Sequence, residues 1–283
     1  MEHDPGDLLR LGLLGRPVAK SLSPSIHQAF AEQYHLQLEY RVTETSAAEL
    51  VGRLAEWSDA GFVGISLTLP LKEVGFHLCH KWADSAVRCR AVNVLTRTKE
   101  GWAGDNTDGT GFWKDLTERH RFLSRGHPVL VVGSGGAARG VLHALLEAGE
   151  TVCLAARDRT RGLRLVDELV QAGHPRIPVT DLGNLLAGTR WSLIVNATSV
   201  GHSGQVPSLD PGIFEGHPWV YDLEYGEAGQ PFTRWAQKQG AGRVLDGLGM
   251  LVEQAAASFK RWTGRMPLTD PIYRVLRSWS PKT

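Results

Sequence analysis

Val129-Leu-Val-Val-Gly-Ser-Gly-Gly-Ala-Ala138 decides the fold of this chain. An apolar run of strand length (128–132) gives way to a glycine turn, and the turn opens onto an apolar stretch of helical period that continues to Ala148. Strand, glycine turn and helix start, in that order, give a Gly-x-Gly-x-x-(Gly/Ala) match its physical meaning. Gly133 permits the tight turn, Gly135 lets the backbone approach a pyrophosphate, and Ala138 is small enough for close helix–strand packing. The pyrophosphate would rest on the free N–H groups and positive end of the helix. The competing explanation is a tight turn that holds no ligand.

The next strand, Thr151-Val-Cys-Leu-Ala155, runs into Ala156 and Arg157. An NAD site places Asp or Glu at this strand end, where it holds the ribose 2′-hydroxyl. No acid stands there, and Arg157, Arg159 and Arg161 follow instead. A guanidinium suits a 2′-phosphate, which makes NADP the expected cofactor. The alternative is a solvated first helical turn, and it fits Arg159 best. Asp158 opposes the arginines with its own charge.

Outward from this unit, short apolar runs alternate with segments of helical period, the α/β pattern. Residues 8–14, 39–43, 62–67 and 91–96 read as strands, with helices at 24–34, 47–58 and 73–87 between them. A linking helix begins near 109–117. Further strands are expected at 193–196, 219–223 and 243–245. The last helices, 250–262 and 270–278, are expected to pack back on the first domain and make it discontinuous.

Composition narrows the function. The 283 residues suit two packed units, and 42% hydrophobic with 22% charged residues is an ordinary globular balance. A formal net charge of +1 without blocks of like charge argues against nucleic acid or an anionic membrane as partner. No apolar run approaches the roughly 20 residues that span a bilayer. Residues 1–7 are acidic and broken by Pro and Gly, unlike a signal peptide. Cys79, Cys89 and Cys153 form no CxxC pair, which points to a reducing cytoplasm. His77-Leu-Cys-His80 lacks further ligands at metal-site spacing, and no metal is expected.

Ser21-Leu-Ser23-Pro24 marks a second site. Residues two apart in an extended segment point the same way, so both hydroxyls can face one ligand. Ser23 also reads as a helix N-cap with Pro24 at the first helical position. A carboxylate could bind at the same helix start.

Four segments, taken together with the glycine turn, carry a resemblance. They are Gly15-Arg-Pro-Val-Ala-Lys-Ser-Leu-Ser-Pro24, Gly64-Ile-Ser-Leu-Thr-Leu-Pro-Leu-Lys72, Ala91-Val-Asn93 with Gly104-Asp-Asn-Thr-Asp-Gly109, and Asp246-Gly-Leu-Gly-Met-Leu-Val-Glu-Gln254. With Asn196-Ala-Thr-Ser-Val-Gly201 and Tyr221-Asp-Leu-Glu-Tyr225, their order resembles the shikimate dehydrogenase family over roughly residues 10–265. The resemblance implies a substrate-binding α/β domain over 1–110, an NADP-binding Rossmann domain over 111–246, and C-terminal helices over 247–283 that complete the first domain. Lys72 and Asp108 match the family's catalytic pair. Ser21, Ser23, Thr68, Asn93, Tyr225 and Gln254 match positions that hold the substrate. Gly133, Ser134, Gly135, Gly136, Ala137, Ala138 and Arg139 match cofactor contacts, as do Arg157, Arg161, Thr198, Leu223, Gly247 and Met250. The implied reaction is the reversible reduction of 3-dehydroshikimate to shikimate by NADPH, in a cytoplasmic monomer or homodimer.

The chemistry is coherent on its own terms. Hydride leaving an alcohol carbon requires that the hydroxyl proton leave too, so a titratable group must lie within hydrogen-bond reach. Lys72 follows Pro70 at the end of a strand-like run, where α/β proteins place ligands. Asp108 beside it would hold the ammonium charged. Gly247 and Gln254 stand two helical turns apart, on one face with Met250.

Lys20, Ser66 and Val94 stand where the family usually has His, Asn and Thr. Ala156-Arg157-Asp158 replaces its Asn-Arg-Thr, and Gly226-Glu227 its Asn-Pro. Ser66 and Val94 remove hydrogen-bonding capacity, so quinate or an amino analogue of shikimate is the alternative substrate. A non-catalytic NADPH-binding regulator is the alternative from another class. Such a protein has no use for a Lys–Asp proton-transfer pair.

Overall fold

The computed structural model describes residues 8–183 and 188–279, so the reading of residues 1–7 lies outside it. The chain divides into two compact units. One comprises the chain up to Gly111 together with Leu251–Arg274, and the other comprises Phe112–Met250 and the chain from Val275.

The first unit runs β1 (Leu8–Gly15), α1 (Ser23–Glu32), β2 (Gln37–Glu44), α2 (Leu50–Asp59), β3 (Gly64–Leu67), α3 (Lys72–Phe76), β4 (Lys81–Trp82), α4 (Asp84–Cys89), β5 (Val94–Thr98) and β6 (Gly101–Asp105). Its sheet order is β2-β1-β3-β5-β6-β4. β1 pairs in parallel with β2 and β3, whereas β5 is antiparallel to both β3 and β6. Leu9, Leu11 and Leu14 of β1 are fully buried on both faces of the sheet, which is why this strand reads as an almost unbroken apolar run.

The helix expected over 73–87 is instead three short elements. His80 N donates to Trp102 O (3.1 Å) and Ala83 N to Gly104 O (2.9 Å), so the middle of the segment joins the sheet beside β6. These non-local backbone bonds override the local helical period. The strand expected from residue 91 begins at Val94, and β6 carries no expectation from the sequence.

α5 (Asp108–Lys114) and a π-helical turn, Asp115–Arg119, form the linking helix. The second unit then runs β7 (Val129–Val132), α6 (Gly136–Glu147), β8 (Val152–Ala156), α7 (Arg159–Gln171), β9 (Val179–Asp181), β10 (Leu193–Asn196), β11 (Trp219–Asp222), α8 (Gly226–Lys238) and β12 (Arg243–Leu245). The sheet order is β12-β11-β10-β7-β8-β9, with every pairing parallel. This is the doubly wound Rossmann order, whose direction reverses between β7 and β10. β7 and β10 are buried throughout, as central parallel strands are. α8 was not legible because Gly226, Gly229 and Pro231 interrupt its period.

α9 (Leu248–Thr263) and α10 (Asp270–Trp279) close the described chain. Trp262 Nε1 donates to Leu95 O (3.0 Å), and the Phe259 and Phe30 rings lie 5.7 Å apart, so most of α9 packs on the first unit. Leu268 N donates to Gln33 Oε1 (2.8 Å). The tail is not wholly of that unit, as the 247–283 segment implied. Leu248–Met250 and the end of α10 cluster with the second unit, where Arg277 pairs with Asp246 at 2.6 Å.

Candidate active site

In the first unit, the sheet delivers polar residues to one edge. Thr68 and Lys72 follow the carboxyl end of β3, and the loop carrying Ser21 and Ser23 follows that of its parallel neighbour β1. β5 runs the other way, so Asn93, just before its start, stands at the same edge; Asn93 O accepts from Leu67 N (2.9 Å). β6 ends at Asp105 opposite Val94, and Asp108 follows. The carboxyl ends of strands are where such sheets place ligands.

Lys72 Nζ donates to Asp108 Oδ2 at 2.6 Å. Asn93 Nδ2 donates to Asp108 Oδ1 (2.8 Å), and Gln254 Oε1 lies 3.3 Å from the same nitrogen. Asn93 Oδ1 accepts from Thr107 N at 2.8 Å, and Thr107 Oγ1 pairs with Ser258 Oγ at 3.1 Å. Asp108 N donates to Asn106 Oδ1 (3.1 Å), whose amide nitrogen donates to Ala91 O (3.0 Å). The four sequence-expected residues Lys72, Asn93, Asp108 and Gln254 therefore form one network. Asn106, Thr107 and Ser258, all buried, complete it and were not singled out. Asn106 and Thr107 stand inside a quoted motif, but nothing local marks Ser258. Beneath Asp108, Asp105 is held by Arg261 Nε (2.6 Å) and by Ser85 Oγ.

Ser21 Oγ donates to Ser23 Oγ (3.1 Å) and accepts from Ser23 N (3.2 Å), so the two hydroxyls are neighbours. The N-cap expectation fails. Ser23 is the first helical residue, Leu22 is the cap in α-helical conformation, and no side chain caps the helix. The hydroxyl of half-buried Tyr40 is shut away beside the Ser23 and Ser66 hydroxyls, without a well-formed hydrogen bond. Burial pushes its phenol well above the ordinary value. Val94 is buried and pairs in register with Ser66, whereas Lys20 is exposed.

In the second unit, Gly133 lies at the reversal point with φ +112°, and a Cβ there would come 2.8 Å from Ala197 O after β10. Only glycine fits. Gly135 caps α6 in extended conformation with no side-chain cap bond, and Ser134, Gly136 and Ala137 are half-buried around it. The first-turn N–H groups of α6 thus lack a side-chain cap, as an anion site requires. Ala138 is fully buried against the sheet. The Arg139 side chain is buried and bonded to Glu168 of α7 at 2.5 Å, so only its backbone belongs to the turn.

Arg157, just after β8, and Arg161, in the first turn of α7, are both exposed. Asp158 is the N-cap of α7, its Oδ1 accepting from Arg161 N at 3.0 Å. Thr198 Oγ1 donates to Asn196 Oδ1 (2.7 Å), and Leu223 N donates to Asn196 O (2.9 Å). Gly247 precedes α9 rather than sharing its face; a Cβ there would collide with Leu223 O. Met250 is buried in the core of this unit, so its side chain serves packing. Tyr225 caps α8 in the second unit, while the other substrate-matching residues belong to the first. Asp222 was not singled out. It is buried and accepts from Asn196 Nδ2 and Glu224 N, both at 3.1 Å. Burial, and then the charge of Glu224, raise its carboxyl well above the ordinary range.

A Rossmann unit with a glycine turn, next in the chain to an α/β unit carrying a nearly buried Lys–Asp pair, defines a dinucleotide-dependent dehydrogenase class of architecture. Residues 13–95 match the family described as shikimate dehydrogenase substrate binding domain, and residues 247–277 match the shikimate 5′-dehydrogenase C-terminal domain. A shikimate dehydrogenase (NADP(+)) from Xylella fastidiosa strain 9a5c is 42% identical over 272 residues, covering 95% of this chain and 96% of that one. The chain belongs to the shikimate dehydrogenase family. Among solved structures, an Ael1 enzyme from Pseudomonas putida is 34% identical with a TM-score of 0.84, over 95% of this chain and 98% of that one. Shikimate 5-dehydrogenase from Thermus thermophilus, in complex with NADP(H) and shikimate, is 33% identical with a TM-score of 0.81, over 95% and 99% of the two chains. Among the described residues, no helix is long and apolar enough to cross a membrane.

Proposed function

We propose that this chain catalyses the NADP-dependent interconversion of 3-dehydroshikimate and shikimate, a cytoplasmic step of aromatic amino-acid biosynthesis. The observation that carries this reading is the Lys72–Asp108 pair, joined through Asn93 to Gln254 at the strand ends of the first unit. Lys72 Nζ gives a proton to the substrate oxygen as the keto carbon is reduced, and the pair takes it back in the oxidative direction. Asp108 holds the ammonium in place, and Asn93 fixes the other carboxylate oxygen. Ser21 and Ser23 hold the substrate carboxylate, and Thr68, Asn93, Gln254 and Tyr225 hold its hydroxyls.

The second unit suits NADP. Gly133 and Gly247 stand where a Cβ would strike backbone, α6 opens without a side-chain cap, and Arg157 is exposed at the strand end. Gly133–Arg139 would hold the pyrophosphate through backbone N–H groups, Arg157 and Arg161 the 2′-phosphate, with Thr198 and Leu223 beside the remainder. When bound, NADPH supplies the hydride.

The test follows absorbance of the reduced nicotinamide with NADP or NAD against shikimate, quinate and a blank. NADP with shikimate gives the highest kcat/KM. Quinate tests the alternative raised by Lys20, Ser66 and Val94, and absence of turnover with every pair overturns the reading.

A further inference from the structure

We propose that His143, Glu147 and His174 form a site for one divalent late-transition-metal ion, of which zinc is the type, on the second unit. His143 and Glu147 stand one turn apart on α6 and share a face. His174 comes from the corner after α7, where its N–H donates to Leu169 O at 3.0 Å. The corner turns through Gly173, at φ +93°. His143 Nδ1 and His174 Nε2 face each other at 3.0 Å, and a Glu147 oxygen lies 3.9 Å from His174 Nδ1. One ligand atom from each of the three lies within 4.8 Å of the others.

This spacing is close to what a metal requires. Two nitrogens each about 2.0–2.1 Å from a tetrahedral zinc ion stand roughly 3.3 Å apart. The two rings must turn modestly so that both nitrogens point at one ion, and the exposed Glu147 carboxylate, now beside His174 Nδ1, must swing to the third position. His174 is buried and fixed by its backbone bond, so part of the ordering cost is met before an ion arrives. Two imidazole nitrogens 3.0 Å apart share a proton, and a metal ion that binds both releases it to solvent. Two nitrogens and one carboxylate select zinc, nickel or copper over magnesium or calcium, which demand oxygen ligands. The fourth position is left to water. The ion fastens the carboxyl end of α6 to the corner that follows α7, and it does so without using any residue of the glycine turn or of the Lys72 network. No metal spacing shows in the sequence, because the third ligand follows a separate helix.

The test uses the full chain, stripped with chelator and titrated with ZnCl₂ by calorimetry, with CoCl₂ as the spectroscopic probe and MgCl₂ as control. One zinc ion binds per chain, cobalt shows the visible bands of four-coordination, and magnesium does nothing. Saturating zinc raises Tm by roughly 3–8 °C, because only the folded state binds it. His143→Gln, at a half-buried position that folding tolerates, weakens zinc at least about 10-fold, as loss of a ligand demands. Dehydrogenase turnover of that variant is unchanged. No saturable zinc binding in the wild type overturns the proposal and leaves His143 and His174 as a hydrogen-bonded pair. Undiminished binding in both His143→Gln and Glu147→Gln overturns it equally, since the ion is then held elsewhere, for instance by cysteine.

Discussion

The Lys72 ammonium lies 2.6 Å from Asp108 Oδ2, with side-chain exposures of only 14% and 5%. Both groups are shielded from solvent, so their attraction is weakly screened, and each orders the other. Asn93 occupies the second carboxylate oxygen, which leaves Lys72 as the member with protons to offer.

Lys72→Ala should therefore lower kcat by roughly 10²–10⁴-fold while NADP affinity barely moves. Asp108→Asn should also lose rate. The double variant should lose much less than the product of the two, because the pair acts as a unit. Breaking a buried pair also costs stability, up to about 3–5 kcal/mol, so rates are compared on variants shown to be folded. A Lys72→Ala enzyme keeping more than about a third of wild-type turnover, instead of the expected loss, would remove Lys72 from the mechanism.

The proposed cofactor choice rests on the end of β8. If Arg157 holds the 2′-phosphate as proposed, Arg157→Ala should remove a charge-assisted contact that only NADP makes, worth roughly 1.5–3 kcal/mol, or about a 10- to 150-fold loss for NADP and little for NAD. Asp158 has a structural role of its own. Its carboxylate accepts from Arg161 N as the cap of α7. Asp158→Ala should cost about 1 kcal/mol of stability through the lost cap. The ratio of kcat/KM for the two cofactors is the measurement. An Arg157→Ala change that harms both cofactors equally, or a wild type that prefers NAD, refutes the assignment.

The glycine turn was legible because its signal is local: four buried strand residues, a φ only glycine adopts at Gly133, and a small residue at Ala138. The residues of the Lys72 network could be named from their motifs, but their connection could not. Asn93, Thr107 and Ser258 meet only because antiparallel β5 brings its start to the edge where parallel β3 ends, and because α9 returns to the first unit. The break between α3 and α4 was hidden for the same reason, since the backbone partners of His80 and Ala83 lie on β6. Ser23 misled because Ser-Pro is a good start signal, yet Leu22 is already helical one residue earlier.

That correction changes what Ser23→Ala should do. Its hydroxyl caps nothing, so the change should leave stability within about 1 kcal/mol of wild type. Ser21→Ala and Ser23→Ala should both raise KM for shikimate, each by roughly 1–3 kcal/mol of lost binding to a charged carboxylate. A Ser23→Ala variant that melts early yet keeps wild-type KM would return Ser23 to a structural role and end its assignment as an anchor.

Acid stability should depend on a residue outside the network. His27 of α1 is buried, stacks on Tyr40 with ring centroids 4.8 Å apart, and has no hydrogen-bond partner at Nδ1. Burial lowers its pKa from the ordinary 6.5 to about 3. The folded state therefore refuses a proton that the unfolded chain accepts. The stability this confers is fully present above pH 6.5 and is lost as pH falls from 6.5 towards 3. At about pH 5 the loss amounts to roughly 2 kcal/mol. His120 adds to it in the second unit, lowered to about 4 by burial and then by Arg243, Arg119 and Arg277. His27→Phe keeps a ring against Tyr40 but cannot be protonated. Urea unfolding at about pH 7.5 and about pH 5 should show a smaller loss in the variant, by roughly 2 kcal/mol, because the His27 contribution is gone while every other titrating group is unchanged. Equal losses in wild type and His27→Phe would show that His27 is protonated alike in both states and would overturn this prediction.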